Sequence, residues 1–158
     1  MNAKPVVKQI LEAMRSAGLE AILIGNAAAA LQGAPVTTDD IDFLIRRTPR
    51  NAGKILAFAQ KLDAVIERPA YPLSNFWRIS SRKGIPIQID LTTNIHGIRS
   101  FESLRSRADR IDVNGEVAIV AHLADVIKSK RAADRPKDRA VLPVLEATLR
   151  EKTRKTKP

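Results

Sequence analysis

The chain has 158 residues, with 27 Lys and Arg against 17 Asp and Glu for a net charge of +10, and it contains no cysteine. Disulfides and thiol chemistry are thereby excluded, which fits a reducing cytoplasm, and no stretch approaches the ~20 consecutive apolar residues of a membrane span. An isoelectric point near 10.4 favours polyanionic partners such as nucleic acid, nucleoside triphosphates or acidic protein surfaces.

Residues 1–149 read as one domain, long enough to bury a core without metals or disulfides. The basic run 150–158 is expected to be a disordered tail. No signal-peptide core stands at the N-terminus, so a soluble, cytoplasmic protein with no membrane association is expected.

A helix is predicted over 5–17. Pro5 suits its first turn, Val6, Val7, Ile10, Leu11 and Met14 form one apolar stripe, and Gly18 can end it. Residues 21–46 then read as strand, loop, short helix, strand. The aliphatic run 21–24 stops at Gly25-Asn26, Ala27 to Leu31 are good helix formers, and 40–45 alternates acid and apolar residues. The side-chain period of two puts Asp40 and Asp42 on one face and Ile41, Phe43 and Ile45 on the other.

Two carboxylates on one face repel unless a cation or protons sit between them. Hard oxygen ligands suit Mg²⁺ better than zinc. Free N–H groups where Gly25-Asn26 leads into a helix attract phosphate. Two plainer readings compete here: a surface turn with a helix cap over residues 37–40, and a phosphatase-like Asp-x-Asp loop. The latter motif ends an apolar strand, whereas this pair begins one.

Thr48-Pro49 opens a second helix with Ile55, Leu56, Phe58, Ala59 and Leu62 facing inward, and a loop is expected over 69–72. Residues 76–80 and 85–91 read as a strand pair turning at 81–84. In the second strand Ile85, Ile87, Ile89 and Leu91 share one face, leaving Gln88 and Asp90 on the other. Should this strand lie beside 40–45, all three carboxylates meet in one cleft.

His96 falls in a loop and His122 at a helix entry, so no His-based metal site is expected. A short helix is predicted over 101–109, with Arg99, Arg105, Arg107 and Arg110 as a basic surface or nucleic-acid contact. Asn114-Gly115 signals a hairpin between 111–113 and 116–120.

A helix over 122–134 carries Lys130 on the apolar stripe of Leu123, Val126 and Ala133. An inward lysine needs an anion, or stem enough to snorkel to water. The candidate anions are a triphosphate and the aspartate cluster, and an i to i+4 pair with Asp134 is the ordinary alternative. A last helix over 136–150 buries Val141, Leu142, Leu145 and Leu149 and bends at Pro143.

Gly25-Asn26, thirteen intervening residues and Asp40-Ile41-Asp42 resemble the signature of the nucleotidyltransferase superfamily that includes DNA polymerase beta. The likeness extends to small bacterial members of the abortive-infection toxin type, through Thr38-Asp39-Asp40-Ile41-Asp42. Asp125, Lys130, Arg135, Lys137 and Asp138 resemble the second signature of those proteins.

The resemblance implies an α+β fold: a mixed β-sheet with helices packed on one face and a C-terminal helix pair. It implies transfer of a nucleoside monophosphate from an NTP, ATP among them, with two Mg²⁺ ions during turnover. Asp40, Asp42 and Asp90 would be catalytic and hold metal, and Gly25, Asn26, Thr38, Lys130, Arg135 and Lys137 would bind nucleotide. The acceptor hydroxyl would belong to RNA, a protein or a small molecule.

Asn26 departs from the usual Gly or Ser, and Val36 stands where many relatives carry Arg. These departures motivate a second reading, a binding module of the same fold without chemistry, within a toxin–antitoxin pair. A plain RNA-binding protein is a third, disfavoured by an aromatic content of 4%.

Overall fold

The computed structural model describes residues 4–38, 40–67, 75–81 and 88–156. Asp39, the loop expected over 69–72, the turn at 82–84 and the strand residues Ile85 and Ile87 lie outside them.

The first helix, α1, spans Lys4–Ala17 and buries Val7, Ile10, Ala13 and Met14. Strand β1 (Ile22–Ile24) is buried throughout and passes directly into α2 (Gly25–Leu31), with no loop between them. Strand β2 (Asp40–Leu44) keeps the predicted alternation, its acids partly exposed and its apolar residues buried. Helix α3 (Pro49–Lys61) starts at Pro49 as expected. Its buried stripe is Ile55, Phe58 and Ala59, continued by Leu62, whereas Leu56, expected to face inward, is 52% exposed.

Strand β3 (Ala64–Ile66) has only three residues and was not anticipated. Its sequence carries too few residues for a period to show, and only pairing with the next strand defines it. Strands β4 (Phe76–Ser81) and β5 (Gln88–Thr92) form the expected antiparallel pair. Helix α4 (Phe101–Arg107) is capped by the Ser100 side chain, which accepts from the Ser103 N–H at 3.0 Å.

Strands β6 (Asp109–Val113) and β7 (Glu116–Val120) flank the hairpin turn. Asn114 and Gly115 both take positive φ, 52° and 97°, which a two-residue turn matched to strand twist requires. Helices α5 (Leu123–Ala133) and α6 (Pro136–Thr156) form the C-terminal pair. Helix α6 passes through Pro143 and continues to Thr156, into the stretch expected to be disordered. Local bonds carry it: the Thr153 Oγ1 donates to the Leu149 carbonyl at 2.9 Å, and Arg154 pairs with Glu151 at i,i+3.

The described strands form one seven-stranded mixed sheet in the order β3-β4-β5-β2-β1-β7-β6. β1 runs antiparallel to β2 and parallel to β7, and β2 runs parallel to β5. With six helices among the described residues this is the expected α+β architecture. Helix α1 packs on α3, β6 and β7, while α2 packs on β1, β2 and α5. Among the described residues, no helix is long and apolar enough to cross a membrane.

Candidate active site

Directly paired strand residues project to the same side of a sheet. Ile24 pairs with Asp42, Asp42 with Asp90, and Asp90 with Arg78; one pleat away, Asp40 pairs with Gln88 and Gln88 with Ser80. The acidic face inferred from alternation is therefore formed, and the neighbouring parallel strand sets Asp90 beside Asp42. Ile41, Phe43, Ile79, Ile89 and Leu91, on the reverse face, are all buried in the core.

A cavity of about 580 Å³ opens over this face, inside the range of about 300–1,000 Å³ typical of small-molecule sites. Asp40, Asp42 and Asp90 line it, and so do Gly25, Asn26 and Thr38. Lys130 on α5, Arg135 in the α5–α6 connection and Lys137 on α6 line it too. Val36 instead packs against the hydrophobic core.

Burial, then the charges of Asp90 and Asp40, push the Asp42 carboxyl up to about 6; Lys130 and Lys137 act against the rise. Gly25 makes room for this side chain. A Cβ at Gly25 would lie 3.2 Å from Asp42 Oδ2, and its φ of +66° is one that glycine adopts without strain. The Thr38 hydroxyl accepts from the Asp40 N–H at 3.0 Å and donates to the Asp40 carbonyl at 2.6 Å. Thr38 thus fixes the start of β2. Asn26 Oδ1 is buried without a hydrogen-bond partner among the described residues.

Asp90 does not stand free on this face. Arg78 Nε donates to its Oδ1 at 3.1 Å, and Gln88 Nε2 lies within 3.2 Å of its Oδ2. Among the described residues, no group of three or more His, Cys, Asp or Glu side chains forms a ready-made metal cage.

The basic side of the cavity is organised by a buried acid. Asp138 is 1% exposed. Its Oδ2 accepts from Arg135 Nε at 2.7 Å and from the Arg135 backbone N–H at 3.2 Å, and Lys130 Nζ lies 3.7 Å from its Oδ1. Burial alone would raise the Asp138 carboxyl, but the bonds from Arg135 and the charges of Arg135 and Lys130 outweigh it and hold it below the usual range. Burial lowers the Lys130 ammonium, opposed chiefly by Asp138. The alternative pair of Lys130 with Asp134 is not the one formed. Asp134 adopts φ +51° at the end of α5, which turns the chain so that Asp138 faces Lys130, and Asp134 pairs with Arg139 at 3.1 Å.

Gln32 docks this assembly onto the sheet. Its Nε2 donates to the Ala28 and Ala121 carbonyls at 3.0 and 2.7 Å, and its Oε1 accepts from the Leu123 N–H at 2.9 Å. The start of α5 is thereby tied to the end of α2.

Residues 3–157 match the family described as nucleotidyl transferase of unknown function (DUF2204). The chain belongs to that nucleotidyl transferase family. No curated protein matches its sequence. Solved structures share its fold. One is the antibiotic-resistance factor ANT(2'')-Ia, 13% identical with a TM-score of 0.60, over 95% of this chain and 92% of that one. Another is TM1012 from Thermotoga maritima, assigned to the nucleotidyltransferases, 17% identical with a TM-score of 0.57, over 93% and 92%. At these identities the likeness is one of fold.

Among the polar residues that line this cavity, Arg78, His96 and Asp138 were not assigned to it from the sequence. Arg78 was legible in principle, because Phe76, Arg78 and Ser80 alternate with the buried Trp77 and Ile79. His96, read as a loop residue, is exposed in its loop and also lines the cavity. Asp138 appeared within a basic motif, and nothing in its spacing announced burial. Of the arginines expected around α4, Arg105 pairs with Glu20 at 3.1 Å and Arg107 with the buried Asp125 at 3.0 Å, so both are engaged within the fold.

Proposed function

We propose that this protein is a metal-dependent nucleotidyltransferase that moves a nucleoside monophosphate from a nucleoside triphosphate to an acceptor hydroxyl. One observation carries the reading. Three acids on one sheet face and three cations from the α5–α6 pair line the same cavity, so groups suited to a cation and groups suited to phosphate stand together.

The donor set suits a hard divalent cation. All three candidates are carboxylates, and Asp42 resists ionisation because burial and two acidic neighbours disfavour its charge. A cation beside it would relieve that repulsion. Mg²⁺ ordinarily takes one or two protein carboxylates and completes its shell with water and substrate phosphates, so a closed protein cage is not required. Asp40 and Asp42 would hold it, joined by Asp90. When bound, Mg²⁺ neutralises phosphate charge and polarises phosphoryl oxygens.

The remaining work falls to side chains of the chain itself. Lys130, Arg135 and Lys137 offset the charge of the triphosphate, and Asn26 offers a polar contact from the first turn of α2. Asp90 takes the proton of the acceptor hydroxyl. The acceptor oxygen forms its bond to the α-phosphorus, the bond from that phosphorus to the α,β-bridging oxygen breaks, and pyrophosphate leaves with the electron pair. Positioning and electrostatics supply most of the acceleration in such transfers.

The test is incubation with each α-labelled NTP, Mg²⁺ and cell extract. Label should enter an acceptor with wild type and not with Asp40→Ala, whose thermal unfolding should stay cooperative. Equal labelling by the folded variant would reject the assignment.

A further inference from the structure

Arg78 stands against Asp90, the carboxylate proposed above to take the acceptor's proton, and it comes from a strand outside the acid motifs. It pairs directly opposite Asp90, donating from Nε at 3.1 Å and from Nη2 at a long 3.4 Å. The Arg78 side chain is 36% exposed and that of Asp90 13%. Its guanidinium carbon lies 5.3 Å from the centre of the Phe76 ring, and both residues line the cavity.

We propose that Arg78 is an acceptor-positioning residue that selects a phosphate-bearing acceptor, a nucleotide or oligonucleotide whose hydroxyl neighbours a phosphate. This rests on Asp90 being the group that takes the acceptor's proton, as above. A hydroxyl within hydrogen-bond reach of Asp90 brings its neighbouring atoms against the guanidinium bonded to that carboxylate. A guanidinium fork matches phosphate oxygens. A part-exposed ion pair with one ordinary and one long bond is weak and readily exchanged. A phosphate that draws Arg78 to itself takes the cation off Asp90 and leaves only the neutral Gln88 amide on it, which makes the carboxylate a better proton acceptor, so docking and activation become one event.

Other acceptor chemistries fit less well. A cationic acceptor is repelled by the Arg78 guanidinium at the Asp90 carboxylate itself, although Asp40, Asp42, Asp125 and Asp138 also line the cavity. A neutral alcohol brings nothing to separate Arg78 from Asp90. The Phe76 ring beside the guanidinium supplies an apolar surface for a sugar or base.

The test compares two acceptors on the full chain, with each α-labelled NTP and Mg²⁺. Adenosine has the hydroxyls without a phosphate; the dinucleoside monophosphate ApA has both. Wild type should prefer ApA by tenfold or more in kcat/KM. Arg78→Gln should cut that preference to about threefold or less, mainly by raising KM for ApA, and Arg78→Lys should restore part of it. Equal use of both acceptors by wild type overturns the proposal, and so does an equal loss on both in Arg78→Gln with the preference intact. Labelling of neither acceptor while Mg²⁺-dependent NTP binding persists overturns the acceptor class alone. Absence of NTP binding overturns instead the nucleotidyl-transfer reading beneath it.

Discussion

Asp42→Asn should make the metal-free protein more stable while removing a residue of the proposed site. The Asp42 carboxyl sits at about 6 in the fold, against an ordinary value of 3.8. A folded value raised above the unfolded one means that the native state holds the extra proton between those limits. Stability is then highest below pH ~4 and falls as pH rises through ~6, the reverse of a salt-bridged aspartate. The gap of roughly two pH units corresponds to an upper bound of about 3 kcal/mol at full ionisation.

Asparagine keeps the shape and carries no charge, so the variant escapes that loss. Denaturant titration in a chelating buffer should find Asp42→Asn more stable by about 1–3 kcal/mol at pH 7.5, with the difference vanishing near pH 4. In a domain of this size that is a rise in Tm of about 3–10 °C. Added Mg²⁺ should stabilise wild type and close the gap. A variant equal to or weaker than wild type at pH 7.5, or a difference that ignores pH, would refute the picture of a carboxylate held in costly isolation.

Gly25→Ala introduces a methyl 3.2 Å from Asp42 Oδ2 at a φ of +66°; a loss of about 1–2 kcal/mol by thermal denaturation, with transfer reduced, is expected. Gln32→Ala leaves the Leu123 N–H and the Ala121 carbonyl without their partner, which should cost about 1–3 kcal/mol in a denaturant titration. Asp138→Asn removes the charge that holds Arg135 and Lys130; NTP affinity measured by calorimetry should fall on the order of tenfold, consistent with weakening charge-assisted contacts. Unchanged affinity in a folded Asp138→Asn protein would remove Asp138 from the phosphate side of the cavity.

The acid face was legible because its information is local. A period of two assigns Asp40, Asp42 and Asp90 to faces without any knowledge of partners, and the reverse faces carry buried Ile41, Phe43, Ile89 and Leu91. That β5 would lie beside β2 with Asp90 against Asp42 is a matter of strand order and register. Those are decided by the whole sheet, and the sequence supported them only as a condition. The basic side was half legible. Helical spacing aimed Lys130 inward, but its partner depended on the left-handed turn at Asp134, which brings in Asp138 from the next helix. Spacing within a single helix could only offer Asp134. Gln32 gave no signal at all, since its three bonds join segments far apart in the chain. Charge alone gave no sign that α6 runs on into the C-terminal stretch, where i,i+3 and i,i+4 bonds continue the helix.

Calorimetric titration with α,β-methylene-ATP, which cannot be cleaved at the α,β position, tests most directly whether the acids and cations of this cavity act together. Binding should appear with Mg²⁺, disappear when the metal is chelated, and be lost in both Asp40→Ala and the double variant Lys130→Ala/Lys137→Ala. Equal affinity with and without Mg²⁺, or no binding of this or the corresponding GTP, CTP and UTP analogues, would contradict a metal-dependent nucleotidyl-transfer site and leave a fold without that chemistry.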